Sequence, residues 1–140
     1  MSDSTQVRRV ADELEIRNLV ATLALMADRA SDDELPDYAA LFTEDAHWEM
    51  PGSPIDGREA ILAGARSRRA AGTQGPGTGT RHVVTNHRVA VDGDTADGEA
   101  YFFLVASADP APIRVAGHYR DEYRRTPDGW KMARRVISVG

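Results

Sequence analysis

The sequence has 140 residues, a formal charge of −5 and no cysteine. That length predicts a single domain, 1–140, able to bury a core or enclose a small pocket. Scattered arginine pairs on an acidic chain argue against a nucleic-acid partner, and the missing cysteines exclude disulfides and thiolate chemistry. Residues 1–6, MSDSTQ, are polar and acidic, so no secretory signal is expected. No apolar run approaches the roughly 20 residues of a membrane helix. The expectation is a soluble cytoplasmic protein with no membrane partner.

Residues 7–30 carry a helical pattern. Val10, Leu14, Ala21 and Leu25 form a stripe that Ile16, Leu19, Val20 and Leu23 widen. Ser31 and Glu34 read as a capping box for a second helix running to about Phe42, with Pro36 in its first turn. The stretch 46–51, AHWEMP, alternates like a short strand, and PGSPIDG reads as a turn-rich connection. A third helix is expected over 58–71, then a glycine-rich segment at 72–79. Four long strands follow, at 81–91, 95–107, 112–126 and 129–139, with hairpin-type turns at DGD and PDG. Three helices followed by an antiparallel meander make an α+β fold in which a strongly curved sheet wraps the first helix and leaves a cavity.

Strand parity separates the two histidines of RHVVTNHRV: His82 goes with Val84, His87 with Val83. Val89 and Val91 continue the His87 parity, so both faces carry apolar residues. A sheet covered on both sides or a bulge near Asn86–His87 accounts for that, and parity alone leaves open which histidine faces inward. Asp28 lies in the last turn of the first helix, opposing the helix dipole at about 0.3–1 kcal/mol. Ser31 is available as the cap, so Asp28 has no local task. A carboxylate on the buried side of a helix needs a partner, and a histidine on the facing sheet would form with it an oriented general base. Of the pair Arg134–Arg135, Arg135 shares a face with Ile137, while Arg134 reads as a surface ion pair with Asp121 or Glu122. His47 and His118 read as outward. The histidine spacings give no metal motif, and no nucleotide loop or nucleophile elbow is present. No metal or cofactor is therefore expected.

Three motifs carry a resemblance that spans nearly the whole chain: LALMADRA with LPDYAALFTEDAHWEMPG, RHVVTNHRV, and AGHYRDEYRRTPDGWKMARRVIS. Together with the element order they resemble the SnoaL-like branch of the nuclear transport factor two-like superfamily, and within it the scytalone dehydratase and hexachlorocyclohexane dehydrochlorinase group. The resemblance implies a cone-shaped α+β barrel whose curved sheet holds three helices around a pocket. It matches Asp28 and His82 to an aspartate–histidine base, Arg135 to an arginine late in the last strand, and Trp48 to a pocket tryptophan. It also turns His82 inward and His87 outward. Leu23 stands where the dehydrochlorinase has a lysine, and Ala27 where scytalone dehydratase has a tyrosine. No histidine occurs in 94–107, where scytalone dehydratase uses a second one. The substrate-holding groups therefore differ from both.

By parity and resemblance the pocket wall comprises Trp48, Met50, Val84, Phe102, Leu104, Val115, Tyr119 and Ile137, a lining suited to a small hydrophobic cyclic molecule. The expected function is cofactor-free proton abstraction by His82, oriented by Asp28, with Arg135 or Tyr119 stabilising negative charge. The outcome is β-elimination, such as dehydration, or double-bond isomerisation. The scaffold also admits a polyketide cyclase, an epoxide hydrolase with Asp121 as second carboxylate, or a non-catalytic module like the small subunit of aromatic-ring dioxygenases. Outward Glu99, Tyr101 and Phe103 suggest a homodimer or homotrimer.

Overall fold

A computed structural model describes residues 3–140; Met1 and Ser2, part of the stretch read as lacking a leader, lie outside the described residues. The elements are α1 (Asp3–Arg29), a 3-10 turn (Asp32–Glu34), α2 (Leu35–Ala39), β1 (Phe42–Met50), β2 (Ser53–Asp56), α3 (Arg58–Ala70), β3 (Thr80–Asp92), β4 (Thr95–Ala106), β5 (Ile113–Thr126) and β6 (Gly129–Val139). The strands form a six-stranded mixed sheet in the order β2-β1-β6-β5-β4-β3, with β1 and β6 parallel and every other pair antiparallel. The three helices pack against it. The α+β class and the helix-filled cone are as expected, and the cone is not closed: β2 and β3 are its two edges.

Three local readings are corrected. The second helix stops at Ala39, because Phe42 already pairs with Met132 and opens β1. The PGSPIDG connection contains the short edge strand β2, which accepts Pro54 where a central strand would not. On α1 the stripe of Val10, Leu14, Ala21 and Leu25 points outward, and Ile16, Leu19, Val20 and Leu23 are the buried set. Apolar residues surround this helix, so periodicity alone offers two faces. The buried one also carries Asp12 and Asp28, each of which meets a polar partner on the sheet.

Asp12 anchors the N-terminal half of α1. It accepts hydrogen bonds from Arg125 Nη1 and Nη2 (2.9 and 2.7 Å) and from the Trp130 indole (3.1 Å). The Arg125 hydrogen bond, above all, holds its carboxyl below the ordinary carboxylate range. A depressed carboxyl stabilises the fold fully above its unfolded pKa, about 3.9, and loses that contribution as pH falls through the folded value. Asp12→Asn is therefore expected to lower the thermal midpoint at pH 7, with the gap to wild type narrowing on acidification below about pH 4. Thermal melts across pH 3–7 read this directly; a gap that does not depend on pH would contradict it.

Candidate active site

The end of α1 is where the helix layer meets the sheet. The last carbonyls of a helix run short of backbone donors, and here Arg69 of α3 donates to the carbonyls of Ala27 (3.1 Å) and Met26 (3.0 Å) and to that of Ala30 just beyond the helix. This clamp fixes the turn that carries Asp28. Asp28 is buried, and its carboxylate takes both polar hydrogens that His82 offers it. The His82 backbone N–H donates to both carboxylate oxygens (3.1 and 3.0 Å), and the ring Nδ1 lies 2.7 Å from Oδ1. A carboxylate can only accept, so in the neutral tautomer that this contact favours the ring hydrogen sits on Nδ1 and Nε2 is left with a lone pair. Nε2 has no partner among the described residues, and His82 lines a cavity.

The cavity has a volume of about 330 Å³, at the lower end of the range of about 300–1,000 Å³ typical of small-molecule sites. Of the wall residues expected from the sequence, Trp48, Met50, Leu104, Val115, Tyr119 and Ile137 line it, together with His82 and Arg135. Val84 and Phe102 do not. Phe102 lies flat on Tyr119, with ring centroids 4.3 Å apart and planes 5° apart. Its neighbour across the strands, Gly117, makes this possible, because a Cβ there would strike the Phe102 ring. Val84 pairs with Phe102 on β3 and packs against the core beside it. The structure adds lining from α1 (Leu23, Ala24, Ala27), α2 (Tyr38) and the α3 end (Arg68, Thr73, Gln74). The glycine-rich segment thus contributes two residues to the rim.

Arg135 is buried, with Nε and Nη2 on the two oxygens of Asp121 (2.8 and 2.9 Å) and its guanidinium 3.7 Å over the Tyr119 ring. Burial opposes its charge, but Asp121 more than restores it, and its pKa lies above the ordinary arginine value. Asp121 also accepts from the Tyr123 hydroxyl (3.1 Å). It is therefore committed to Arg135 and Tyr123 and does not line the cavity, which removes it as a hydrolytic second carboxylate. Burial pushes the Tyr119 hydroxyl up to about 12, so it stays protonated and can donate. Arg134 pairs with Glu122 at 3.4 Å, as expected for the outward arginine.

His87 corrects the reading drawn from parity and resemblance. The β3–β4 register breaks between Thr85 and Arg88, and Asn86 adopts a positive φ of 54°, a conformation asparagine tolerates better than most residues. The bulge moves His87, Val89 and Val91 to the same face as His82 and Val84. His87 is partly buried, its carbonyl accepts from Arg17 (2.8 Å), and its Nε2 lies 3.4 Å from the Tyr123 hydroxyl. Burial lowers its pKa, keeping it neutral. His47 faces outward between Asp56 (2.6 Å) and Glu49 (3.0 Å), and His118 lies on the same convex side near Glu99. Among the described residues no three His, Asp or Glu side chains converge as a metal site would require, and no helix is long and apolar enough to cross a membrane.

Comparisons with known proteins agree with this architecture. A sequence model of the SnoaL-like domain matches residues 8–136. An uncharacterised Mycobacterium tuberculosis protein, Rv2910c, is 32% identical over 134 residues, covering 93% of this chain and 86% of that one. An NTF2-like protein of cystatin-like fold from Novosphingobium aromaticivorans superposes with a TM-score of 0.81 at 26% identity, covering 97% of this chain and 86% of the other. The structure of LinA superposes with a TM-score of 0.77 at 21% identity, over 96% and 90% of the two chains, a likeness of fold.

Proposed function

From a chain that belongs to the SnoaL-like domain family, whose proteins commonly bind small hydrophobic ligands and form oligomers, we propose a cofactor-independent lyase or isomerase acting on a small cyclic substrate. One observation carries the reading: Asp28 holds His82 by both its backbone and its ring, leaving Nε2 at the cavity. His82 Nε2 removes a proton from carbon, and the C–H electron pair passes into the developing double bond. In elimination the leaving group departs from the adjacent carbon and, when it is hydroxide, takes the proton to leave as water. In isomerisation the imidazolium returns the proton to a different carbon. Asp28 offsets the positive charge that His82 acquires. In this reading the Tyr119 hydroxyl and the cavity edge of Arg135, both in the lining, stabilise charge that develops on the substrate.

A hydrolase would need a second carboxylate in the cavity, and Asp121 is bound elsewhere. The reading includes self-association through the convex sheet face, where Tyr101 is 53% and Val83 46% exposed; sedimentation velocity reads the assembly directly. The chemistry is tested in heavy water with 3-hydroxycyclohexanone and cyclohex-3-enone, following the α-protons by NMR. Wild type is expected to exchange deuterium into the probe or convert it to the conjugated enone, and His82→Gln is expected to do neither. Equal exchange by both proteins would overturn the assignment.

A further inference from the structure

The charges around the cavity are paired, with one exception. His82 is bound to Asp28 and Arg135 to Asp121. Arg69, next in sequence to the exception, spends its donors on the α1 carbonyls. Arg68 lines the cavity with its guanidinium 4.8 Å over the Trp48 ring, yet no carboxylate or other acceptor bonds its side chain among the described residues. Burial pulls its pKa below the ordinary arginine value, and what opposes this comes from Tyr38 and Tyr119 rather than from an acid. A guanidinium has five N–H donors and a charge it does not give up, so a partly buried one that lines a cavity and is bonded to no protein acceptor has those donors to offer an anionic ligand. Thr73 and Gln74 sit beside it on the rim, Thr73 being tied to the Arg68 carbonyl through its N–H (3.1 Å) and hydroxyl (3.0 Å).

We infer that the ligand of this cavity is an anion: a ring compound whose carboxylate or ionised enol oxygen seats on Arg68, with its carbon skeleton against Trp48, Leu104 and Ile137. This rests on the proposed cavity being the substrate site, and it narrows the substrate class from hydrophobic to hydrophobic and acidic. Arg68 is then a specificity residue. It selects the ligand by charge, while His82 supplies the base.

Matched probes separate these roles in calorimetric titrations at pH 7: 2-naphthoate against 2-naphthamide for a carboxylate, and 1,3-cyclohexanedione, ionised at this pH, against cyclohex-2-enone for an enolate. Wild type is expected to prefer the anion of at least one pair by tenfold or more, and the pair that shows the preference identifies the acidic group. Arg68→Met is expected to abolish that preference by weakening the anion at least tenfold more than the neutral probe, and Arg68→Lys to keep part of it. His82→Gln is expected to keep it in full, so a failed base assignment and a failed charge assignment give different results. Equal binding of anion and neutral probe by wild type, survival of the preference in Arg68→Met, or no binding of any probe would each overturn the inference.

Discussion

Replacing His82 with glutamine is expected to lower kcat by about 10²–10⁴-fold, the usual contribution of a positioned general base, with little change in thermal midpoint. The fold tolerates the change because the clamp on α1 does not pass through the imidazole: Asp28 still accepts the backbone N–H of residue 82 (3.1 and 3.0 Å), and Arg69 still caps the helix. Asp28→Asn is expected to move kcat in the same direction. Its amide can donate to Nδ1, which turns the imidazole over to the tautomer whose Nε2 carries a hydrogen and cannot take another. Initial rates of enone formation from 3-hydroxycyclohexanone, followed by ultraviolet absorbance, give both numbers. Near-wild-type turnover by His82→Gln would place the base elsewhere.

The largest expected effect on stability lies in the cavity wall, where Arg135 is held from behind by Asp121. Arg135→Met is expected to cost about 3–5 kcal/mol, the usual penalty for leaving a buried charge without its partner. Asp121 is 1% exposed, and among the described residues its side chain bonds the Tyr123 hydroxyl besides Arg135. Adding Asp121→Asn is expected to recover much of that loss, because the orphaned charge is gone while the amide oxygen can still accept from Tyr123. Urea titrations of the two single variants and the double variant close this cycle. If Arg135→Met is nearly silent, the pair is not the buried support described above, and Arg135 would be free to serve the substrate alone.

Much of this site was legible in the sequence. Asp28 stood out because a carboxylate in the last turn of a helix, with the cap already available, had to find a partner across the core. Arg135 and most of the apolar wall followed from strand alternation and family resemblance. His87 did not, because one extra residue at Asn86 reverses parity along the rest of β3. The signal was present in the valines, with Val84 on one parity and Val89 and Val91 on the other, and the bulge is what reconciles them. The buried face of α1 was misread because the helix carries two apolar stripes, and only contact with the sheet selects between them. Arg68 was invisible for a different reason. In RSRR it is one of three arginines, and only the docking of α3 over β1 brings it above Trp48 while Arg69 turns to the α1 carbonyls.

Whether Asp28 fixes His82 as a base with Nε2 free can be measured without any substrate. Two-bond nitrogen–proton correlation spectra of the histidine rings, at a pH where His82 is neutral and with its signals assigned from the His82→Gln spectrum, report which nitrogen bears the hydrogen. The Nδ1–H tautomer is expected for His82 in wild type and the Nε2–H tautomer in Asp28→Asn, with His47, His87 and His118 unchanged. An Nε2–H tautomer in wild type, or the same tautomer in both proteins, would contradict that expectation.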